Sequence, residues 1–425
     1  MKPGIGRRGI EDSRLMGRGG RRLSIVCSAL GALTVVSTSL APGAEAVDIR
    51  SKQWYLGAMQ AEAMWKTSTG KGVKVAVIDT GVNPATSSLK GQVLVGEVAK
   101  SVSYHVTQDF NGHGTTMAEL IAGTGLGGGI KGLAPDAKII PYRVQLDSLK
   151  DKAEKAKTAT LAADIRAAAD SDAKIINMSI GGPLYDPEEK EAVKYAASKG
   201  KLLFASVGNE AQTKNNQIEY PAFYPYVNGV SASDQSGTVA KFAEHGQYVD
   251  FAAPGVNVPG WCDNTFKEYC STEGTSAASA IASASAALVW SAHPDWTANQ
   301  VIRALVDTAG RKWPKGERSL YLGFGIMRPR KVLDNPRANP GPADVDPLAA
   351  ENSAGDDGTS AASTPSASSS RPAKDAGSTS GSTSAATKDS GSGGDTTTWV
   401  IIGAVAAVLV VAGAGYGVLR ARRRA

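Results

Sequence analysis

A chain of 425 residues, 42% hydrophobic and 20% charged, carries enough apolar material for a sizeable buried core. That balance excludes full disorder, a collagen, a polytopic membrane protein and a disulfide-dense miniprotein. The formal net charge of +6 sits at the ends: residues 1–46 hold seven Lys/Arg against three Asp/Glu, the last six residues hold four Arg, and 47–419 come to −2. The body therefore has no electrostatic footprint for nucleic acid.

Residues 1–46 read as an export signal. Lys2, Arg7, Arg8, Arg14, Arg18, Arg21 and Arg22 precede an apolar run from Leu23 to Leu40, and Ala44-Glu45-Ala46 has the small-x-small form of a cleavage site. An uncleaved N-terminal anchor is the alternative. Cys27 follows Val26, which argues against lipidation.

From 47 to 335 the pattern alternates strands and helices. Val73–Ile78, Ile139–Val144, Ile175–Met178, Leu202–Ala205 and Val249–Ala252 are short apolar runs of the kind buried on both sides of a parallel sheet. Helical stretches fall between them at Ala162–Ala169 and Glu188–Ser198, followed by a long Ala/Ser-rich one at Ser276–Ser291. The expected fold is α/β, a doubly wound and mostly parallel sheet, in which working residues collect at the carboxyl ends of strands.

Several motifs fall at such ends. Val77-Ile78-Asp79-Thr80-Gly81 places a carboxylate directly after a strand. A strand-end turn is the plain reading; a paired-carboxylate protease fails because no second Asp-Thr-Gly or Asp-Ser-Gly exists. Gly112-His113-Gly114-Thr115 sets a histidine between glycines before a helix, where small neighbours let another backbone come close, as suits a general base facing a substrate. His105, His245 and His293 have no such setting and read as surface or packing residues. Ser206-Val207-Gly208-Asn209 puts a side-chain amide just past a strand. Cys262 and Cys270 remain as an even pair once Cys27 leaves with the signal, which in an oxidising exterior implies a local disulfide. Gly274-Thr275-Ser276 opens the long helix. A serine there is ordinarily a cap, but a nucleophile there has unpaired N–H groups and a favourable dipole beside its oxyanion.

Residues 336–398 are Ser, Thr, Ala, Gly, Pro and Asp with hardly a large apolar side chain, the composition of a disordered tether. Trp399–Leu419 is 21 residues without a charge, about 31 Å as a helix and enough to cross a membrane. Residues 420–425, Arg-rich, would be cytoplasmic by the positive-inside rule, leaving the body outside a cell membrane on a single-pass anchor.

Ser276 is inert near neutral pH unless a base removes its proton, and His113 needs a third group to fix its tautomer. Asp79 can be that group, and Asn209 can donate to the oxyanion together with the Ser276 N–H. With Asn177-Met178-Ser179-Ile180-Gly181 added, this set resembles the subtilase family over about residues 53–335. The resemblance implies a subtilisin-like serine endopeptidase with Asp79, His113 and Ser276 as triad and Asn209 as oxyanion donor. It further implies Ser179, Ile180 and Gly181 as an edge that pairs with an extended protein or peptide substrate. The signal, linker, single span and basic tail resemble the mycosins, membrane-anchored proteases of type VII secretion systems, and so imply a secretion membrane complex as partner. Only about six residues separate Ala46 from the Gln53-Trp54-Tyr55-Leu56 segment, so no folded prodomain is expected. One departure is Ala280, where the family usually has proline. No cofactor and no metal are expected. Structural calcium is common in the family, but no oxygen-ligand cluster nominates a site. Two other readings are a structural subunit of a secretion complex and a maturation protease such as a lantibiotic leader peptidase.

Overall fold

The computed structural model describes residues 49–356 except Ile218 and Pro336. The expected signal, the apolar span, the basic tail and the tether beyond 356 lie outside the described residues. Among those described, no helix is long and apolar enough to cross a membrane.

Six strands form one parallel sheet: β1 (Lys74–Asp79), β2 (Lys138–Arg143), β3 (Ile175–Met178), β4 (Leu202–Ser206), β5 (Val227–Ser233) and β6 (Val249–Pro254), in the order β2-β1-β3-β4-β5-β6. Five match the expected runs to within two residues. β5 was not legible as an apolar run, because Val227-Asn228-Gly229-Val230-Ser231-Ala232-Ser233 is half polar, although all seven residues are buried.

The pleat of β1 explains the layering. Val75 and Val77 enter one core and Ala76 and Ile78 the other, so each face demands its own cover of helices. On the first face lie α1 (His113–Ala122) and α4 (Thr275–Ala292), with α5 (Ala298–Thr308) behind them; on the second lie α2 (Leu161–Asp170) and α3 (Pro187–Ser198). Helix α4 is buried from Ala277 to Trp290, and its Ala/Ser composition lets it come close to the strands. It runs unbroken through Ala280, which supplies the backbone N–H that a proline would lack. A separate antiparallel hairpin, β7 (Val258–Trp261) and β8 (Tyr269–Thr272), is closed by the Cys262–Cys270 disulfide.

The boundary expected at residue 335 falls too early. Gln300, Thr297 and Arg303 donate to the carbonyls of Gly341, Ala343 and Val345, Leu348 is buried, and the Tyr226 N–H donates to Asn352 Oδ1 at 2.6 Å. Arg318 pairs with Glu351 at 2.8 Å, and Glu351 and Asn352 both belong to α6 (Ala349–Asp356). Composition missed this segment because it is held mainly through backbone carbonyls.

Candidate active site

Strand order reverses around β1, with β2 on one side and β3 on the other, and this divergence opens a crevice at the carboxyl ends. Asp79 closes β1 there, fully buried. Its Oδ1 accepts from the Thr80 N–H at 2.8 Å and lies 2.7 Å from His113 Nδ1. An ionised carboxylate can only accept, so the imidazole proton sits on Nδ1 and Nε2 is left as the acceptor. Burial opposes the imidazolium, but the charge and hydrogen bond of Asp79, with Asp109 further off, hold the His113 pKa above its ordinary value.

His113 is the first residue of α1. Sequence reasoning missed what holds that turn. Asp109, 6% exposed, accepts from the Thr80 hydroxyl, the Asn111 and Gly112 N–H groups, and both the N–H and hydroxyl of Thr115. Its only sequence signal was a carboxylate three residues before a Gly-initiated helix. The flanking glycines are required by the protein's own backbone. A Cβ on Gly114 would lie 2.2 Å from the Gly81 carbonyl oxygen, and one on Gly112, at φ +89°, would lie 2.7 Å from that of Asp263. Further along α1, buried Glu119 accepts from Thr86 (2.7 Å) and Tyr269 (2.9 Å), tying the hairpin to the histidine helix; burial raises its pKa to about 7.

Ser276 stands in the first turn of α4, among N–H groups with no helical partner. Its hydroxyl donates to the Ser179 carbonyl at 3.0 Å, and the Ser179 hydroxyl returns a bond to the Ser276 carbonyl at 2.8 Å. Asn177 anchors the pair, donating to Ser179 Oγ and accepting from Ser279 and Ser283. Asn209 follows β4. Its Oδ1 accepts from the Thr275 N–H at 2.8 Å. Because that partner can only donate, the amide orientation is fixed and Nδ2 is left over as a donor. His113, Asn209 and Ser276 line one cleft of about 340 Å³, with Trp261 and Gly274. No His113–Ser276 hydrogen bond is made; the Ser276 hydroxyl points its proton at the Ser179 carbonyl instead.

The expected edge follows β3. Ser179 and Ile180 are buried and Gly181 is exposed, while Gly182 pairs in both directions with Tyr220. His105, His245 and His293 lie away from the cleft, stacked on Tyr104, Tyr321 and Trp296. Among the described residues no group of three His, Cys, Asp or Glu is placed to hold a metal. A larger cavity of about 670 Å³, bordered by Tyr220, Tyr248 and Arg318, shares no residue with the cleft.

Residues 70–326 match the Subtilase family, Peptidase_S8. The chain is 34% identical over 281 residues to thermitase of Thermoactinomyces vulgaris, covering 64% of this chain and 95% of thermitase. Among solved structures it is similar to the MycP3 protease from the type VII (ESX-3) secretion system, with 30% identity, a TM-score of 0.56, and coverage of 69% and 90% of the two chains. A lanthipeptide protease shares the fold at 22% identity and a TM-score of 0.55, over 67% of this chain and 95% of that one.

Proposed function

The chain belongs to the subtilase family and is a subtilisin-like serine endopeptidase; from that premise we propose that it cleaves exported protein or peptide substrates through Asp79, His113 and Ser276. The observation that carries this is the 2.7 Å contact between buried Asp79 and His113, in a cleft that Ser276 and Asn209 also line. His113 Nε2 takes the Ser276 proton as Oγ attacks the scissile carbonyl, and Asp79 steadies the imidazolium that results. The developing oxyanion meets Asn209 Nδ2 and the Ser276 N–H at the positive end of α4. The substrate backbone lies extended along Ser179–Gly181, where main-chain bonds supply affinity.

The finer assignment is a membrane-anchored protease of a type VII secretion system, facing outward, with 399–419 as the span and 420–425 cytoplasmic. Its support is the pair of charged and apolar ends in the sequence, together with the 30% identity to a protease whose setting is such a system. Ser276→Ala should abolish peptide hydrolysis and fluorophosphonate labelling while circular dichroism is unchanged. Labelling that survives moves the nucleophile elsewhere. Deleting Trp399–Ala425 should release an active enzyme into the medium and depress secretion. Full secretion by the truncated form removes the membrane partner from the reading.

A further inference from the structure

Two carboxyl groups beside the cleft have no role in the chemistry above. Glu244 is 0% exposed, and neither of its side-chain oxygens has a hydrogen-bond partner among the described residues. Glu219 is half-buried beside it. A buried carboxyl without partners is costly unless something relieves it, so such a group calls for a physical reason.

Two glycines locate the pair. A Cβ on Gly208 would fall 2.1 Å from Glu244 Oε2 and 2.9 Å from Glu219 Cδ, and one on Gly181 would fall 2.3 Å from Glu219 Oε2. The carboxyls thus lie directly against the two backbone segments that matter most to a bound peptide. Gly208 immediately precedes Asn209, whose spare amide proton marks where the acyl oxygen must sit. Gly181 is two residues past Ser179, whose carbonyl holds the Ser276 hydroxyl. A residue whose carbonyl reaches both Asn209 and Ser276 would carry its own side chain toward these two carboxyls.

Lys214, whose charge acts on both carboxyls, is paired with Glu210, and among the described residues no ion pair involves Glu219 or Glu244. Tyr248, whose hydroxyl is also buried without a partner, adds a polar wall that accepts or donates. Burial, then Glu219 and Glu210, push the Glu244 pKa up to about 8. An arriving cation would draw off that proton and meet one or two full negative charges.

We infer that Glu219 and Glu244 floor the recess that receives the side chain preceding the scissile bond, and that they select Lys or Arg at that position. This rests on the protease reading and adds the substrate class to it. A neutral apolar side chain would leave both carboxyls buried and unpaired, whereas an ammonium or guanidinium pairs with them where water is scarce.

The test uses the full-length protein purified in detergent and peptides identical except for Lys, Arg or norleucine before the cleaved bond. Norleucine keeps the shape of the lysine stem and lacks its charge. The expected kcat/KM for Lys and Arg exceeds that for norleucine by about 10²-fold. In the Glu219→Gln, Glu244→Gln double variant that ratio should fall toward one, with fluorophosphonate labelling reporting a folded, reactive Ser276. Because the variant alters buried groups, benzamidine and its neutral isostere benzamide give a second readout on the unaltered protein: only the cation should compete with the norleucine peptide. Equal rates on Lys and norleucine, or equal inhibition by benzamidine and benzamide, overturn the inference while hydrolysis itself keeps the protease reading. A basic preference that survives in the double variant overturns the assignment to these residues. Absence of both hydrolysis and labelling removes the protease reading, and the inference with it.

Discussion

Asp109 and Glu244 are both sunk in the protein, at 6% and 0% exposure, yet Asp109 receives five hydrogen bonds and Glu244 none. Asp79 is intermediate: Thr80 and His113 share one oxygen, and the other has no partner among the described residues. Glu219, half-buried, lies beside Glu244. The cleft therefore has a better-satisfied wing and a less satisfied one. Carboxylates whose partners lie within the fold fix geometry before any substrate arrives. On the inference above, Glu244 keeps its interaction energy for a molecule that comes from outside. Asn209 stands between the two kinds, its oxygen spoken for by Thr275 and its amide protons left over.

The sharpest way to break this contrast is at Asp79. Asp79→Asn should lower kcat by about 10⁴-fold, because an amide no longer enforces the productive tautomer. It should also move the acid limb of the kcat/KM profile. Asp79 holds the His113 pKa up, so the proton bound to His113 stabilises the folded form below the ordinary value, and that stabilisation is lost as pH rises through the raised one. Activity needs neutral His113 and fades as pH falls through the same point. Without the carboxylate the limb shifts to lower pH, and a limb that stays in place would show that Asp79 does not hold the proton. Next in size is Asn209→Ala, expected to lower kcat by roughly 10²–10³ with little change in KM, since the spare amide counts mainly when the oxyanion forms. Near-normal kcat would make Asn209 structural.

Asp109→Asn probes the better-satisfied wing through stability. The amide presents donors to the Thr115 or Gly112 N–H groups, so denaturant unfolding should show a loss of about 2–4 kcal/mol. An unchanged midpoint would mean that the bonds around Asp109 are not holding the turn. Glu244→Gln is the smallest effect and has the opposite sign. In the parent protein the Glu244 pKa is raised to about 8 by burial, Glu219 and Glu210, against Lys214, so stability is full at low pH and is lost as pH climbs from the ordinary glutamate range through 8. The variant escapes that loss, and its Tm should gain on the parent between pH 5 and pH 8. A constant Tm difference across that range would place Glu244 in a relieved environment.

The sequence made one wing legible and not the other, for a physical reason. Asp79, His113, Asn209 and Ser276 each sit at a strand end or helix start flanked by glycine or a small residue, so local grammar marks them. Glu219 and Glu244 stand in polar loop sequence, where a glutamate ordinarily faces water. Only glycines at 181 and 208, contributed by two other segments, let them sink against the site, and no local pattern encodes that meeting. The same limit hid β5, whose polar residues are satisfied across the sheet, as when Asn228 donates to the Leu203 carbonyl. It also hid 337–356, which α5 holds largely by its carbonyls. The hairpin escaped notice because Tyr269-Cys270-Ser271-Thr272 is neither continuously apolar nor fully buried.

The Ser276 hydroxyl has a single proton, and at rest it is lodged on the carbonyl of Ser179. While it stays there, the serine proton is turned away from the imidazole that would abstract it. On the proposed reading, a peptide laid along Ser179–Gly181 would offer its own N–H to that same carbonyl, compete for the berth and free the serine hydroxyl to turn toward His113. On the proposed reading, docking and arming would be one exchange of hydrogen bonds, centred on the Ser179 carbonyl that now holds the Ser276 hydroxyl.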